Sequence, residues 1–103
     1  MNLNIEMIRS KDGSECEILL IGRLDAQSAP EAEEFLLEQA THCDSVILNF
    51  SQLGYISSAG LRTLKALRMT MRKKGGTLKL KGVSTSVMEI FEMTGFAAFF
   101  NFI

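Results

Sequence analysis

Leu3, Ile5 and Met7 alternate with polar neighbours, and Glu15 to Leu24 follows as a second apolar run. The Asp12-Gly13 step between them is a hairpin signal, so the chain is expected to open as a β-hairpin. Ser28-Ala29-Pro30-Glu31 has the spacing of a capping box, in which the serine oxygen accepts an amide hydrogen bond and the glutamate reaches back. The helix predicted from there to about Ala40 carries Ala32, Phe35, Leu36 and Ala40 on one stripe, with Glu31, Glu33, Glu34 and Glu38 outside it. Val46-Ile47-Leu48-Asn49-Phe50 is apolar on both faces, as a buried parallel strand at the sheet centre would be.

A second helix is read from Leu61, Leu64, Leu67 and Met71, spaced by three and four and ended by Lys73-Lys74-Gly75-Gly76. Thr77 to Lys81 alternates again and predicts a strand with one wet face. Ser86-Val87-Met88-Glu89 reads as another capping box, opening a short helix that Gly95 stops, and the aromatic tail from Phe96 to Ile103 is expected to pack. The order β-β-α-β-α-β-α, with a possible last strand, describes an α/β fold. It is an N-terminal hairpin joined to a mixed, partly parallel sheet of roughly four or five strands, with helices packed mainly on one face. At 103 residues, the whole span 1–103 is expected to form a single domain.

Composition narrows the function classes. The chain is 47% hydrophobic and 22% charged, which suits a folded soluble protein. The uninterrupted apolar runs, such as Ile18 to Ile21, are far short of a membrane helix, and the N-terminus lacks a signal-peptide pattern. Cytoplasmic location without direct membrane insertion is therefore expected. Cys16 and Cys43 are too few and too scattered for a disulfide framework, and reduced thiols are expected. His42-Cys43-Asp44 lacks the second cluster that a metal site would need, so no metal and no cofactor is expected.

The net charge of −1 hides a strong asymmetry: ten acids and three bases before residue 45, then eight bases and no acid from 45 to 88. Arg62, Lys65, Arg68, Arg72, Lys73 and Lys74 make the second helix basic. No aromatic side chains suited to stacking on bases lie among them, which argues against nucleic acid. An acidic protein partner fits, and so does simple balance by the neighbouring acidic helix.

The chemistry concentrates in Tyr55-Ile56-Ser57-Ser58-Ala59-Gly60-Leu61-Arg62, at a strand-to-helix junction. A serine hydrolase would use such a turn, but its nucleophile elbow needs glycine where Ile56 stands and a histidine after the serine, and His42 precedes Ser58. Neither a P-loop nor a dinucleotide-binding glycine motif occurs. The chain is not expected to be an enzyme. Ser57 and Ser58 can each cap the helix, and a phosphate on either would face unpaired amides and the positive end of the macrodipole.

From Val46 onward the chain resembles the STAS domain of bacterial anti-sigma factor antagonists. The matching features are the aromatic-hydrophobic pair Tyr55-Ile56, the helix start Ser57-Ser58-Ala59-Gly60-Leu61, the turn Gly75-Gly76 and the late Met93-Thr94-Gly95. Upstream, Gly22-Arg23-Leu24-Asp25-Ala26 resembles the family's Gly-x-Leu-Asp. The resemblance implies a binding protein of a partner-switching system. Unphosphorylated, it would hold a serine-kinase anti-sigma factor; phosphorylated on serine by that kinase, it would be released, and a phosphatase would restore it. By the same resemblance the docking surface comprises Asp25, Tyr55, Ser57, Ser58, Ala59, Leu61 and Arg62, on a chain expected to be monomeric. Counted back from Gly60, the family's usual aspartate is here Ser57 and its usual phosphoacceptor is Ala59, so the acceptor expected in this chain is Ser58, and after it Ser57. The alternative is a STAS module without phosphoryl control, binding a ligand or serving as a scaffold in a sensing or transport assembly.

Overall fold

The computed structural model describes residues 2–103. Strands β1 (Leu3–Arg9) and β2 (Glu15–Leu24) form the antiparallel hairpin. Helix α1 (Ala29–His42) leads to β3 (Ser45–Ile56), and α2 (Ser58–Lys73) to β4 (Thr77–Lys81). Then α3 (Thr85–Thr94) and a 3-10 turn at Phe96–Phe99 lead to the two-residue β5 (Asn101–Phe102). The sheet order is β1-β2-β3-β4-β5, and every pair after the hairpin is parallel. Crossovers of one hand that each advance by one strand in the same direction leave their helices on one face. The predicted mixed sheet and its one-sided helices are thus present.

Pairing registers sort the side chains. Cys16 and Ile18 of β2 lie level with Val46 and Leu48 of β3 and with Leu78 and Leu80 of β4, and these, with Leu20, are buried under the helices. Ala32, Leu36, Leu64, Leu67, Met71, Val87 and Phe91 close this core from above. Phe91 meets Phe100 and Phe102 edge-on, at centroid separations of 5.7 and 5.4 Å, so the aromatic tail packs as its composition suggested. Phe99 and Ile103 are exceptions and stand exposed. On the opposite, open face Glu17 binds Asn49 Nδ2 at 3.1 Å and Lys81 Nζ at 3.5 Å.

Three local readings are corrected. Strand β3 reaches Ile56 rather than stopping at Phe50, because single-residue bulges against β2 displace its register twice. The buried positions 46, 48, 50, 53 and 56 therefore change spacing from two to three, and the period of a strand disappears from the sequence. Ser28 precedes α1 but caps nothing: its hydroxyl donates to Arg23 O at 2.9 Å and accepts from Asp25 N at 3.0 Å. At the third helix the cap is Ser84, whose hydroxyl accepts from Val87 N at 3.2 Å, and Ser86 lies inside the first turn.

The end of α2 follows its glycines. Gly75, at φ +74°, lets its own N–H reach Arg72 O and the Gly76 N–H reach Met71 O, the paired bonds of a Schellman motif. Lys74 then turns to the neighbouring helix and donates from Nζ to Ala40 O and Cys43 O, each at 2.8 Å. One cation of the basic helix is thereby committed to closing α1, whose last carbonyls attract positive charge. Among the described residues, no ion pair within 4.0 Å joins the acids of α1 to the arginines of α2.

Candidate functional site

The junction between β3 and α2 lies at the carboxyl ends of the parallel strands, where crossovers leave a ligand-accessible edge. Two contacts hold it. The Ser57 N–H donates to Leu24 O at 2.9 Å, tying the start of α2 to the end of β2. Gly60 permits the approach, because a Cβ there would lie 2.8 Å from Leu24 O and from side-chain atoms of Leu24 and Ile56.

The two serines have separate tasks. Ser57 is the N-cap, extended at φ −98° and ψ 175°, and its hydroxyl accepts from Gly60 N at 3.3 Å. Ser58 is the first helical residue; its side chain is exposed and makes no hydrogen bond among the described residues. No acidic residue occupies the first turn of α2, so the partial positive charge at this end stands uncompensated by the helix itself. Arg62, one turn beyond Ser58 on the same helix face, is exposed.

Asp25 organises the facing loop. Its Oδ1 accepts from Gln27 N and Ser28 N, each at 3.1 Å, while Ala29 N donates to Asp25 O at 2.8 Å. The aspartate thus caps the turn at residues 26–28 that leads into α1. These bonds, with that from Ser28 N foremost, hold its carboxyl below the ordinary carboxylate range. Its Oδ2 lies 3.7 Å from Arg23 Nε, and the Arg23 guanidinium sits over the Tyr55 ring, 4.3 Å from the centroid. Arg23 and Tyr55 are level in the β2–β3 register, so cross-strand pairing brings cation and ring together.

Of the expected docking residues, Ser58 and Arg62 are exposed, and Asp25, Tyr55, Ser57 and Ala59 are half-buried at the same end of the sheet. Leu61 is a correction: at 1% exposure it belongs to the core and anchors α2 from beneath. Sequence reasoning overlooked Arg23, which links Asp25 to Tyr55; its signal was its place in the Gly22-to-Ala26 motif, opposite an aromatic. It also overlooked a shallow groove of about 250 Å³ between the first turns of α1 and α2, lined by Ala26, Ala29, Glu33, Ala59 and Arg62. Among the described residues no three His, Cys, Asp or Glu side chains gather as metal ligands, and no helix is long and apolar enough to cross a membrane.

Comparison with known proteins gives this arrangement its context. The family model described as the STAS domain matches residues 7–103. An anti-sigma-B factor antagonist of Staphylococcus epidermidis is 33% identical over 98 residues, covering 92% of this chain and 87% of that one. The anti-sigma-B factor antagonist of Bacillus subtilis is 26% identical over 95 residues, covering 92% and 85%. Among solved structures, the anti-sigma factor antagonist SpoIIAA in its unphosphorylated form superposes with a TM-score of 0.80 over 98% of this chain and 87% of that one. Its identity is 18%, so that likeness concerns the fold. A hairpin-led parallel sheet with helices on one face, a serine pair opening its second helix and a match along nearly the whole sequence make this chain a member of the STAS domain family.

Proposed function

We propose that the protein is an anti-sigma factor antagonist that works by partner switching. Unphosphorylated, it docks the carboxyl end of its sheet onto an anti-sigma factor with serine-kinase activity. The surface used comprises Ser58, Arg62, the Asp25 loop and the groove beside Ala59. Phosphate on Ser58 Oγ, transferred from ATP, ends the complex, and a phosphatase restores it. The chain supplies surface and acceptor but no catalysis. The curated relatives are named for antagonism, a binding role.

The observation that carries this reading is the division of labour between the serines. Ser57 is engaged with Gly60 N, whereas Ser58 presents an exposed hydroxyl at the positive end of a helix. Adding about −1.5 to −2 charges there leaves the cap intact while changing the surface a partner must desolvate.

The test is incubation with the cognate kinase and ATP followed by intact-mass and peptide analysis. One phosphate on the Ser58 peptide is expected, lost in Ser58→Ala and kept in Ser57→Ala. Full phosphorylation of Ser58→Ala would remove this assignment, and failure of the unmodified chain to bind the kinase would remove the function.

A further inference from the structure

The far half of α2 overhangs the start of β4 and the turn Phe96–Phe99, and a cleft of about 340 Å³ lies between them. That volume is within the range of about 300–1,000 Å³ typical of small-ligand sites. Met71, Leu78 and Phe100 close it from beneath and are themselves buried, while Thr77 and Asn101 give it a polar wall. Arg68 and Arg72 also line it, at i and i+4, so both guanidinium groups extend from the same helix face.

Like charges at this spacing disfavour a helix. Among the described residues neither arginine has a carboxylate within 4.0 Å. Arg68 lies instead over the Phe99 ring, 5.4 Å from its centroid, and that ring is 51% exposed at the rim. Two arginines without a carboxylate partner and an aromatic lip thus line one concavity.

We propose that this cleft binds a small phosphate monoester carrying a flat apolar group. The doubly charged phosphate matches two guanidiniums where a carboxylate would neutralise one, and the fork geometry suits its oxygens. The flat group lies against the exposed ring of Phe99. Arg68 is ten residues along α2 from Ser58, about 15 Å at the helical rise, so this site is separate from the switch and does not depend on the antagonist reading.

Phenyl phosphate titrated into the full chain at low salt, followed by calorimetry and by amide chemical shifts, tests the proposal. Saturable one-to-one binding is expected, with shifts concentrated at residues 68–78 and 98–101, and with affinity falling as salt screens the charges. Arg68→Gln or Arg72→Gln weakens binding about tenfold, as loss of one charged hydrogen bond should. Phe99→Leu weakens phenyl phosphate but not inorganic phosphate, and benzoate binds less tightly than phenyl phosphate. Absence of saturable heat, shifts centred on the first turn of α2, or unchanged affinity in arginine variants that melt like the parent would each overturn the site. Should a variant fail to fold, the shift map of the unaltered chain decides alone.

Discussion

Replacing Gly60 with alanine opposes two physical effects of similar size at the point that holds the site together. In an open helix, alanine is favoured over glycine by about 1 kcal/mol. At position 60 the new Cβ would lie 2.8 Å from Ile56 Cγ1, 2.8 Å from Leu24 Cγ and 2.8 Å from Leu24 O. Carbon atoms in good contact are about 3.5–4.0 Å apart, so all three approaches are repulsive. Leu24 and Ile56 are buried, and the third atom is backbone that already accepts from Ser57 N. Relief therefore requires α2 to lift from the strand ends and stretch that hydrogen bond. Overpacking by a methyl group costs about 1–3 kcal/mol, and weakening the backbone bond about 1 kcal/mol more. Set against the propensity gain, the net loss is about 1–3 kcal/mol. Urea unfolding followed by circular dichroism measures it directly, and in a domain of this size each kcal/mol lowers Tm by about 4–8 °C. A Gly60→Ala protein as stable as its parent, or more so, would show that propensity outweighs contact and that α2 is not clamped to Leu24 and Ile56.

Two further outcomes are expected. Ser57→Ala removes the N-cap acceptor of α2 and should cost about 1 kcal/mol in the same unfolding assay, whereas Ser58→Ala, which loses no hydrogen bond seen here, should be close to neutral. Asp12 accepts from Ser14 N and from the hydroxyls of Ser10 and Ser14, which lowers its pKa from 3.8 to about 2. Its folded value is depressed, so its contribution is complete above pH 4 to 5 and is lost as pH falls toward 2. A stability-against-pH profile of Asp12→Asn should be flatter than the parent's between pH 4 and 2, and superposable profiles would refute the role of this turn.

Elements whose chemistry is local were legible in the sequence. The Asp12-Gly13 hairpin, the stripe Leu61-Leu64-Leu67-Met71, the alternation of Thr77 to Lys81 and the glycine stops at Gly75 and Gly95 each depend on neighbours within a turn or a strand. What stayed hidden depends on pairing. The second half of β3 is disguised by bulges that exist only against β2. Ser28 has the right spacing for a cap, but a loop bound to Asp25 takes its hydroxyl first. Leu61 was legible as a core position in its apolar stripe, and only the family motif set it on the docking surface, one helical step from exposed Arg62. The cation over Tyr55 required the β2–β3 register, which no single-strand pattern contains.

The adjacent serines also decide what a phosphate could act upon. At the first helical position a dianion meets a favourable dipole worth about 0.3–1 kcal/mol at an exposed site, and an i, i+4 arginine adds about 0.2–0.5 kcal/mol. Both terms stabilise the modified helix, and the Ser57 cap and the Leu24 tie lie on other atoms. The fold therefore has no reason to loosen when Ser58 is modified. In the proposed complex the cost would fall on the docked partner, which would have to strip water from a new double charge, a penalty of several kcal/mol per buried ion left unpaired. A switch built this way changes affinity through charge at the interface while the scaffold remains rigid, provided that capping and accepting are done by different hydroxyls. In this chain Ser57 performs the first, and under the proposed switch the exposed hydroxyl of Ser58 would perform the second.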